Sequence, residues 1–189
     1  FRSNIYKCIA NANSSNSTVE PTSINPATLT QTSDGYVWKY MLTISDSDLM
    51  RFSTKDYVPI RQIDVDDGSL QWQVQDSVVA GQINSILVTN PGTGYNNSTN
   101  VSVDITGDGE SIAATATLNV ISNTVSSIQI SDYGYGYTYA NVTIRDAGGV
   151  GQNAAARAII SPIGGHGSNP LYELGSGYLM INKIGRAHV

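Results

Sequence analysis

The chain has 189 residues, of which 13% are charged, and a formal net charge of −5 with an isoelectric point near 4.7. This length suits one medium domain or two small ones. No basic stripe is present, which argues against nucleic acid and anionic membranes as partners. No apolar run reaches the roughly 18 residues of a membrane span. Ser, Thr, Asn and Gly replace charged residues, a mixture that favours strands and turns over long helices. The predicted fold class is therefore all-β.

The N-terminal part of the chain predicts two strands and a short helix. Residues 5–9 (IYKCI) and 36–44 (YVWKYMLTI) are rich in β-branched and aromatic residues, and the polar stretch between them predicts a surface loop with little strand structure. Within 36–44 the apolar residues alternate onto one face, and Lys39 lies on the other. Ser45 or Asp46 then suits the N-cap of a helix with only one or two turns.

Two further strands are predicted downstream. Residues 56–65 (DYVPIRQIDV) indicate an edge strand, because Pro59 cannot donate a hydrogen bond to a central ladder. Residues 70–75 (LQWQVQ) alternate strictly, with the apolar residues on one side and the glutamines on the other. Trp38 and Trp72 would then lie on the apolar faces of strands, where core packing explains them better than a stacked ligand.

The chain repeats itself from residue 83 onward. Each copy has an apolar strand, a Gly-x-Gly-Tyr sequence, a Val/Ile strand, a glycine-rich turn and an alanine-rich strand. Corresponding residues are 42 positions apart (137 − 95): Tyr95 and Tyr137, Gly92 and Gly134, Gly94 and Gly136, Ile86 and Ile128, and Ala116 and Ala158. Two copies are few for an open-ended solenoid. The pattern predicts a small inserted β-module of two three-stranded repeats, covering residues 79–161.

The Gly-x-Gly-Tyr sequences at 92–95 and 134–137 predict structural turns rather than phosphate-binding loops. A dinucleotide-binding loop needs a third glycine and a following helix, whereas a strand is predicted after both copies. Two glycines at positive φ, with one ring covering the turn, would explain the sequence.

Three tyrosines of the second repeat are not explained by the repeat pattern. Tyr133, Tyr135 and Tyr139 have no tyrosine at the corresponding positions of the first repeat, so the fold of the repeat does not require them. We expect these three side chains to be exposed. An exposed tyrosine cluster at a turn suits a protein–protein hot spot, or alternatively a surface on which a sugar stacks.

No catalytic, cofactor-binding or metal-binding residues are predicted. The acidic stretches at 64–68 (DVDDG) and 106–110 (TGDGE) resemble parts of calcium loops but lack the later glutamate and the flanking helices, so exposed hairpin turns explain them better. His166 lies in a glycine-rich turn without an obvious orienting carboxylate, and Cys8 forms no evident pair with a histidine. A single cysteine also excludes an internal disulfide. We therefore expect a protein that is not an enzyme and uses no cofactor.

Residues 5–60 resemble a baseplate wedge protein of T-even-like contractile-tailed bacteriophages. The resemblance rests on IYKCI (5–9), DGYVWKYMLTI (34–44) and RFSTKDYVPI (51–60), which occur in the family's order. The Gly-x-Gly-Tyr repeats and SPIGGHGSNPLYELG (161–175) are similar to larger wedge homologues from phages of marine cyanobacteria.

The resemblance implies a non-enzymatic virion subunit, assembled in the bacterial host cytoplasm, that docks onto other wedge and tail proteins and forms a homo-oligomer in the particle. Residues 1–78 and 162–183 would form a β-sandwich-like wedge body around the inserted module. The alternative is a carbohydrate-binding β-module of a virion or secreted protein, with a host-surface glycan as its ligand. Residues 184–189 (IGRAHV) match the translation of a common sequencing adapter, so we interpret them as a scar and the chain as a fragment.

Overall fold

The structure of the protein is a computed structural model, which describes residues 2–11, 16–55, 57–96, 101–110 and 115–174. Nine strands and three short helices within these ranges confirm the all-β class. The chain divides into two compact units, Phe1–Val78 with His166–Val189, and Val79–Gly165. The interpreted scar at 184–189 lies outside the described residues.

The described strands of the first unit form one antiparallel sheet. β1 (Arg2–Ala10) and β2 (Leu29–Gln31) flank β3 (Val37–Ser45), and both strands predicted for this region are confirmed. Because β3 is the central strand, residues on both of its faces are buried. Lys39 is only 4% exposed, and its Nζ donates a hydrogen bond to the Pro26 carbonyl at 2.7 Å.

A short helix follows the central strand directly. α1 (Asp46–Phe52) begins after Ser45, whose Oγ accepts a hydrogen bond from the Asp48 backbone N–H at 3.1 Å. This N-cap satisfies one of the free N–H groups of the first turn and confirms the predicted helix. No residue of α1 is fully buried, but Leu49 packs against the buried cluster of the first unit, so both the cap and this contact hold the helix.

The strand predicted at 70–75 is wrong, because these residues form helix α2 (Leu70–Asp76). The Ser69 Oγ caps this helix by accepting a hydrogen bond from the Trp72 backbone N–H at 3.0 Å. Trp72 therefore lies on a helix and not on the face of a strand. The third helix of the described residues is α3 (Pro170–Glu173).

The edge strand predicted at 56–65 is also wrong in the part that the structure describes. The Gln71 Nε2 donates a hydrogen bond to the Arg61 carbonyl at 2.7 Å, and the Gln75 Nε2 donates one to the Ile63 carbonyl at 3.0 Å. The two glutamines lie one helical turn apart and so reach the same segment. These carbonyls find their partners in side chains of α2 rather than in a neighbouring strand.

The described residues of the second unit form six strands, three from each repeat, as predicted. They are β4 (Ile83–Asn90), β5 (Val101–Gly107) and β6 (Thr115–Ile121) of the first repeat, and β7 (Thr124–Asp132), β8 (Ala140–Asp146) and β9 (Ala155–Ile160) of the second. Four of them form an antiparallel sheet in the order β6-β7-β4-β9, and β5 pairs with β8 in a second sheet.

The two repeats are interwoven rather than placed side by side. The first strands of the repeats, β4 and β7, pair at the equivalent residues Ile86 and Ile128. Each third strand pairs with the first strand of the other repeat, β6 with β7 and β9 with β4, and the second strands pair with each other. The unit therefore has an approximate twofold axis, and neither repeat completes its sheets alone.

The core of the second unit follows the same symmetry. Its buried residues include three equivalent pairs: Ile83 with Val125, Ile86 with Ile128, and Tyr95 with Tyr137. Partly buried residues of β5 and β8, such as Val103 and Val142, pack against this cluster, so the two sheets share one core. Burial of each large apolar side chain contributes about 1.5–3 kcal/mol.

The register of the third strands corrects one detail of the predicted repeat. Ala116 pairs with Ile130, and Ala156 pairs with Val88, which lies 42 residues before Ile130 (130 − 88). Ala116 therefore corresponds to Ala156, 40 residues away (156 − 116), and not to Ala158. The first repeat has two more residues between its glycine-rich turn and its third strand. Matching the alanines in sequence does not show this difference, because alanines occur at several positions in and just before both third strands.

Candidate functional site

The Gly-x-Gly-Tyr sequences form tight turns in which both glycines have left-handed backbone conformations. The φ angles are 64° at Gly92 and 81° at Gly94 in the first repeat, and 56° at Gly134 and 74° at Gly136 in the second. A residue with a Cβ would be strained at these angles. The predicted turn conformation is therefore confirmed in both copies.

The tyrosine of each turn packs against the glycine-rich turn of the other repeat. Tyr95 and Tyr137 are buried, and a Cβ built at Gly151 would lie less than 3.0 Å from the Tyr95 ring. A Cβ at Gly109 would overlap the Tyr137 ring in the same way. These two rings fill the space beneath the turns, so their role is packing.

Backbone hydrogen bonds between the repeats hold the turns in place. Thr93 and Gln152 exchange two backbone hydrogen bonds, of 3.0 and 2.9 Å. At the equivalent position of the other turn, the Glu110 N–H donates to the Tyr135 carbonyl at 3.0 Å. The backbone at Tyr135 is thus held by a hydrogen bond from the other repeat.

The three additional tyrosines project from this fixed backbone, and we name Tyr133, Tyr135 and Tyr139 the tyrosine strip. Their exposed fractions are 39%, 40% and 56%, which confirms the predicted exposure. The Tyr133 carbonyl accepts a hydrogen bond from the Ile83 N–H, and the Tyr139 N–H donates one to Asp108 Oδ1, both at 3.0 Å. Because the backbone is already ordered, presenting the rings to a partner costs little conformational entropy.

The first repeat makes two of these backbone contacts without tyrosines. Position 91, which corresponds to Tyr133, is a proline whose carbonyl accepts a hydrogen bond from the Val125 N–H at 2.9 Å. Thr93 corresponds to Tyr135, and Asn97, which lies outside the described residues, corresponds in sequence to Tyr139. Pro91 and Thr93 satisfy the fold at two of these positions, so a tyrosine is not required there.

An open groove of about 310 Å³ adjoins the tyrosine strip. It is lined by Tyr133 and Tyr135 together with Val79, Gln82 and Asp132, among other residues. Aromatic surface beside a few polar groups is typical of sites that bind small or extended polar ligands. The groove can therefore hold part of a partner that also contacts the rings.

A polar cluster in the first unit was not predicted. Glu173 Oε2 accepts a hydrogen bond from Lys7 Nζ at 2.9 Å and lies 3.6 Å from His166 Nδ1, so the expectation that His166 has no orienting carboxylate is wrong. At 3.6 Å the contact from His166 Nδ1 is too long for a hydrogen bond. Burial by itself would raise the pKa of Glu173, but His166, Lys7 and the Asn169 N–H together lower it to about 2.

Glu173 also orders the loop before α3. Its two carboxylate oxygens accept hydrogen bonds from the Gly167 N–H at 2.8 and 2.9 Å, and Oε1 accepts one from the Asn169 N–H at 3.1 Å. The cluster therefore ties the chain that returns from the second unit to β1. This role is structural, and sequence reasoning missed it because Lys7 and Glu173 are 166 positions apart.

The acidic stretches have separate structural roles. Asp66 and Asp67 accept hydrogen bonds from the Gly68 and Ser69 N–H groups, at 2.9 and 3.0 Å, in a turn that leads into α2. The predicted hairpin at 64–68 is therefore wrong, since a helix follows it.

In the described ranges, no group of three or more His, Cys, Asp or Glu side chains is placed to hold a metal ion.

Comparisons with known proteins leave the site to be interpreted from its own geometry. No family model, no curated protein and no solved structure matches the chain. None of the described helices is long and apolar enough to cross a membrane. The tyrosine strip and its groove are therefore the features on which a functional argument can rest.

Proposed function

We propose that the chain is a non-enzymatic structural component of a contractile-tail baseplate, of the wedge type, which acts through protein–protein contacts in the virion. The tyrosine strip carries the proposal of a contact role, because three exposed rings stand on an ordered backbone that does not need them. The resemblance of residues 5–60 to wedge proteins supports the proposal that this contact is made in a phage tail baseplate.

The chemistry of the strip suits a protein partner. A tyrosine presents a large ring and a hydroxyl group while losing only two side-chain torsions, so it contributes contact area at a low entropic cost. Tyrosines are enriched among the residues that dominate binding energy at protein interfaces. Glu110 and Asp132 lie beside the strip and supply acceptors for a polar rim.

The test is co-assembly of the parent protein with the other wedge and tail proteins of the same particle. A triple variant, Tyr133→Pro, Tyr135→Thr and Tyr139→Asn, places on the second turn the residues that the first repeat carries in sequence, so we expect the fold to be preserved. We expect this variant to lose the contact that the strip makes, measured by pull-down. Tyr172→Thr is the control, since this tyrosine is 83% exposed in the first unit.

Two results would reject the proposal. The first is failure of the wild-type parent protein to co-assemble together with its absence from purified particles by mass spectrometry. The second is unchanged co-assembly of the triple variant, which would show that the tyrosine strip does not contact the other proteins.

A second candidate is carbohydrate binding, which the groove beside Tyr133 and Tyr135 favours. Rings that line an open groove can stack on the apolar face of a sugar, and the carboxylate of Asp132 can accept hydrogen bonds from its hydroxyl groups. A glycan array probed with the wild type and with Tyr135→Ala and Tyr139→Ala discriminates between the candidates. No signal from the wild type rejects the sugar.

A further inference from the structure

We propose that the groove beside the tyrosine strip binds an arginine side chain carried by an extended segment of a partner protein. The groove lies between the first residues of the second unit, at Val79 and Gln82, and the turn that carries Tyr133 and Tyr135. The inference rests on the contact role proposed above for the tyrosine strip, and it adds the chemical group that the strip recognises.

Three carboxylates lie beside the tyrosine strip. Asp132 lines the groove, and the Glu110 N–H is bonded to the Tyr135 carbonyl at 3.0 Å. Asp108 Oδ1 accepts a hydrogen bond from the Tyr139 N–H, also at 3.0 Å. The equivalent positions around the other Gly-x-Gly-Tyr turn, each 42 residues away, are neutral: Asn90, Gln152 and Val150 (132 − 90, 152 − 110 and 150 − 108). The two turns therefore differ in charge as well as in their tyrosines.

The turn does not require the negative charge of Asp132. Its Oδ1 accepts a hydrogen bond from the Gly134 N–H at 3.0 Å, and the Oδ1 of Asn90 accepts the equivalent bond from the Gly92 N–H, also at 3.0 Å. An amide oxygen therefore satisfies this backbone group as well as a carboxylate oxygen does. In addition, Asp132 brings a negative charge to the groove, and a carboxylate forms stronger hydrogen bonds with a cation than a neutral amide does.

No cation of the second unit lines this groove in the part of the chain that the structure describes. The unit contains five carboxylates and two arginines, which gives a net charge of −3 (2 − 5). Arg145 lies on β8 and is bonded to Asp104 at 2.5 Å, and Arg157 lies on β9. A cation on a partner is therefore the complement of this surface, whereas an acidic partner would be repelled.

Arginine suits the groove better than lysine. A guanidinium group is planar, so it stacks on the face of a tyrosine ring and donates two parallel hydrogen bonds to one carboxylate. Tyr133 and Tyr135 supply exposed rings, and Asp132 supplies the carboxylate. Val79, which is 39% exposed, offers apolar surface to the methylene stem of the arginine. The lysine ammonium group lacks the planar fork and is more strongly hydrated.

The size and rigidity of the groove suit an extended segment. Its volume of about 310 Å³ is at the lower end of the range for ligand sites, so it holds one or two side chains rather than a folded surface. The Ile83 N–H donates to the Tyr133 carbonyl at 3.0 Å, and a Cβ built at Gly81 would lie 2.5 Å from the Tyr137 backbone nitrogen. The two sides of the groove are therefore in direct contact, and binding does not have to order them.

The first experiment measures binding by amide NMR of the full chain, titrated with three peptides. Each peptide consists of glycine and serine around one central residue, which is arginine, lysine or citrulline. Citrulline has the shape of arginine without its charge. We expect the arginine peptide to shift the Gly81 and Gly134 amide signals saturably and to leave the Gly92 signal, in the other turn, unchanged. The citrulline peptide should bind at least about tenfold more weakly, because it loses the charged hydrogen bonds.

Three results of this titration overturn the inference. The first is no saturable shift at Gly81 and Gly134 with the arginine peptide. The second is a citrulline peptide that binds as tightly as the arginine peptide, which would show that the charge is not recognised. The third is tighter binding of the lysine peptide, which would show that the planar guanidinium group is not the one selected.

The second experiment repeats the arginine titration with variants. Asp132→Asn should weaken binding by about tenfold or more, and we expect it to keep the hydrogen bond to Gly134, as Asn90 keeps the equivalent bond in the other turn. Asp76→Asn makes the same change in net charge at an exposed site of the first unit and is the control. Higher salt should weaken wild-type binding, since it screens exposed ion pairs. An Asp132→Asn variant that binds as the wild type does overturns the inference.

The outcomes also separate this inference from the proposed function. If the triple tyrosine variant loses co-assembly but no arginine peptide binds, the arginine site is overturned and the contact role of the strip stands. If the arginine peptide binds as expected but the wild-type parent protein does not co-assemble with tail proteins, the arginine site stands and the role in the tail is rejected.

Discussion

Gly109 and Gly151 each lie against a buried tyrosine ring of the other repeat. We expect Gly151→Ala to lower the free energy of unfolding by about 2–3 kcal/mol, since its Cβ would overlap the Tyr95 ring. Gly149→Ala, in the same turn, meets nothing within 4 Å and should cost only about 1 kcal/mol, for its left-handed backbone. Equal losses in a denaturant titration would contradict the packing argument.

Glu173 predicts a pH dependence of stability. Its pKa is lowered from 4.5 to about 2 in the folded chain, so its stabilising contribution is present above pH 4.5 and is lost as the pH falls through that range. We expect Glu173→Gln to destabilise the protein by about 2 kcal/mol at pH 7, and the difference from the wild type to shrink at acid pH. Glu20→Gln, at an exposed site, is the control in thermal unfolding across pH. A constant difference at all pH values would exclude the carboxylate as the cause.

Helix α2 predicts a contrast between neighbouring glutamines. Gln71 is 8% exposed and donates to the Arg61 carbonyl, whereas Gln73 is exposed on the same helix. Gln71→Ala should cost about 1–2 kcal/mol, because the Arg61 carbonyl loses its hydrogen-bond partner. Gln73→Ala should be neutral or slightly stabilising, since alanine has the higher helix propensity. Urea unfolding curves measure both effects. A larger loss for Gln73→Ala than for Gln71→Ala would show that the hydrogen bond from Gln71 to Arg61 does not stabilise the protein.

Segment 70–75 shows why element type could not be read from alternation alone. Six residues with apolar side chains at every second position fit a strand, but they also place Gln71 and Gln75 one helical turn apart. Leucine and glutamine are strong helix formers, and Ser69 is a good N-cap. Helix propensity and capping therefore indicate a helix here, where alternation alone indicates a strand. The 45–52 helix was predictable because its cap was recognised first.

The repeats show which part of the candidate site was accessible from sequence. The turn glycines and the exposed tyrosine strip followed from comparing the two copies, because a residue without a counterpart is not required by the fold. The exchange of partners between repeats was not predictable, since it depends on pairing between distant strands. The contact between Lys7 and Glu173 was hidden for the same reason, as no local pattern links the two ends of a unit.

At the scale of the whole molecule, each compact unit has its own buried cluster. Met41, Leu42, Ile44 and Leu174 form the cluster of the first unit, and the interwoven repeats enclose that of the second. The second unit also closes on itself where the chain enters and leaves it. The Ser161 Oγ accepts a hydrogen bond from the Gln82 N–H at 3.0 Å and donates one to the Val79 carbonyl at 2.7 Å. These two hydrogen bonds join the entering and the leaving chain within the second unit.

Separate cores predict separate responses to mutation in the full chain. Ile86→Ala and Met41→Ala each remove a buried side chain, so each should destabilise its own unit by about 2–5 kcal/mol. Hydrogen exchange measures the two units independently in one sample. With Ile86→Ala, we expect faster exchange in β4, β7 and β9 and unchanged exchange in β3, and with Met41→Ala the reverse. If either substitution accelerates exchange equally in both units, the chain unfolds as one cooperative body and the insertion does not depend on its own core alone.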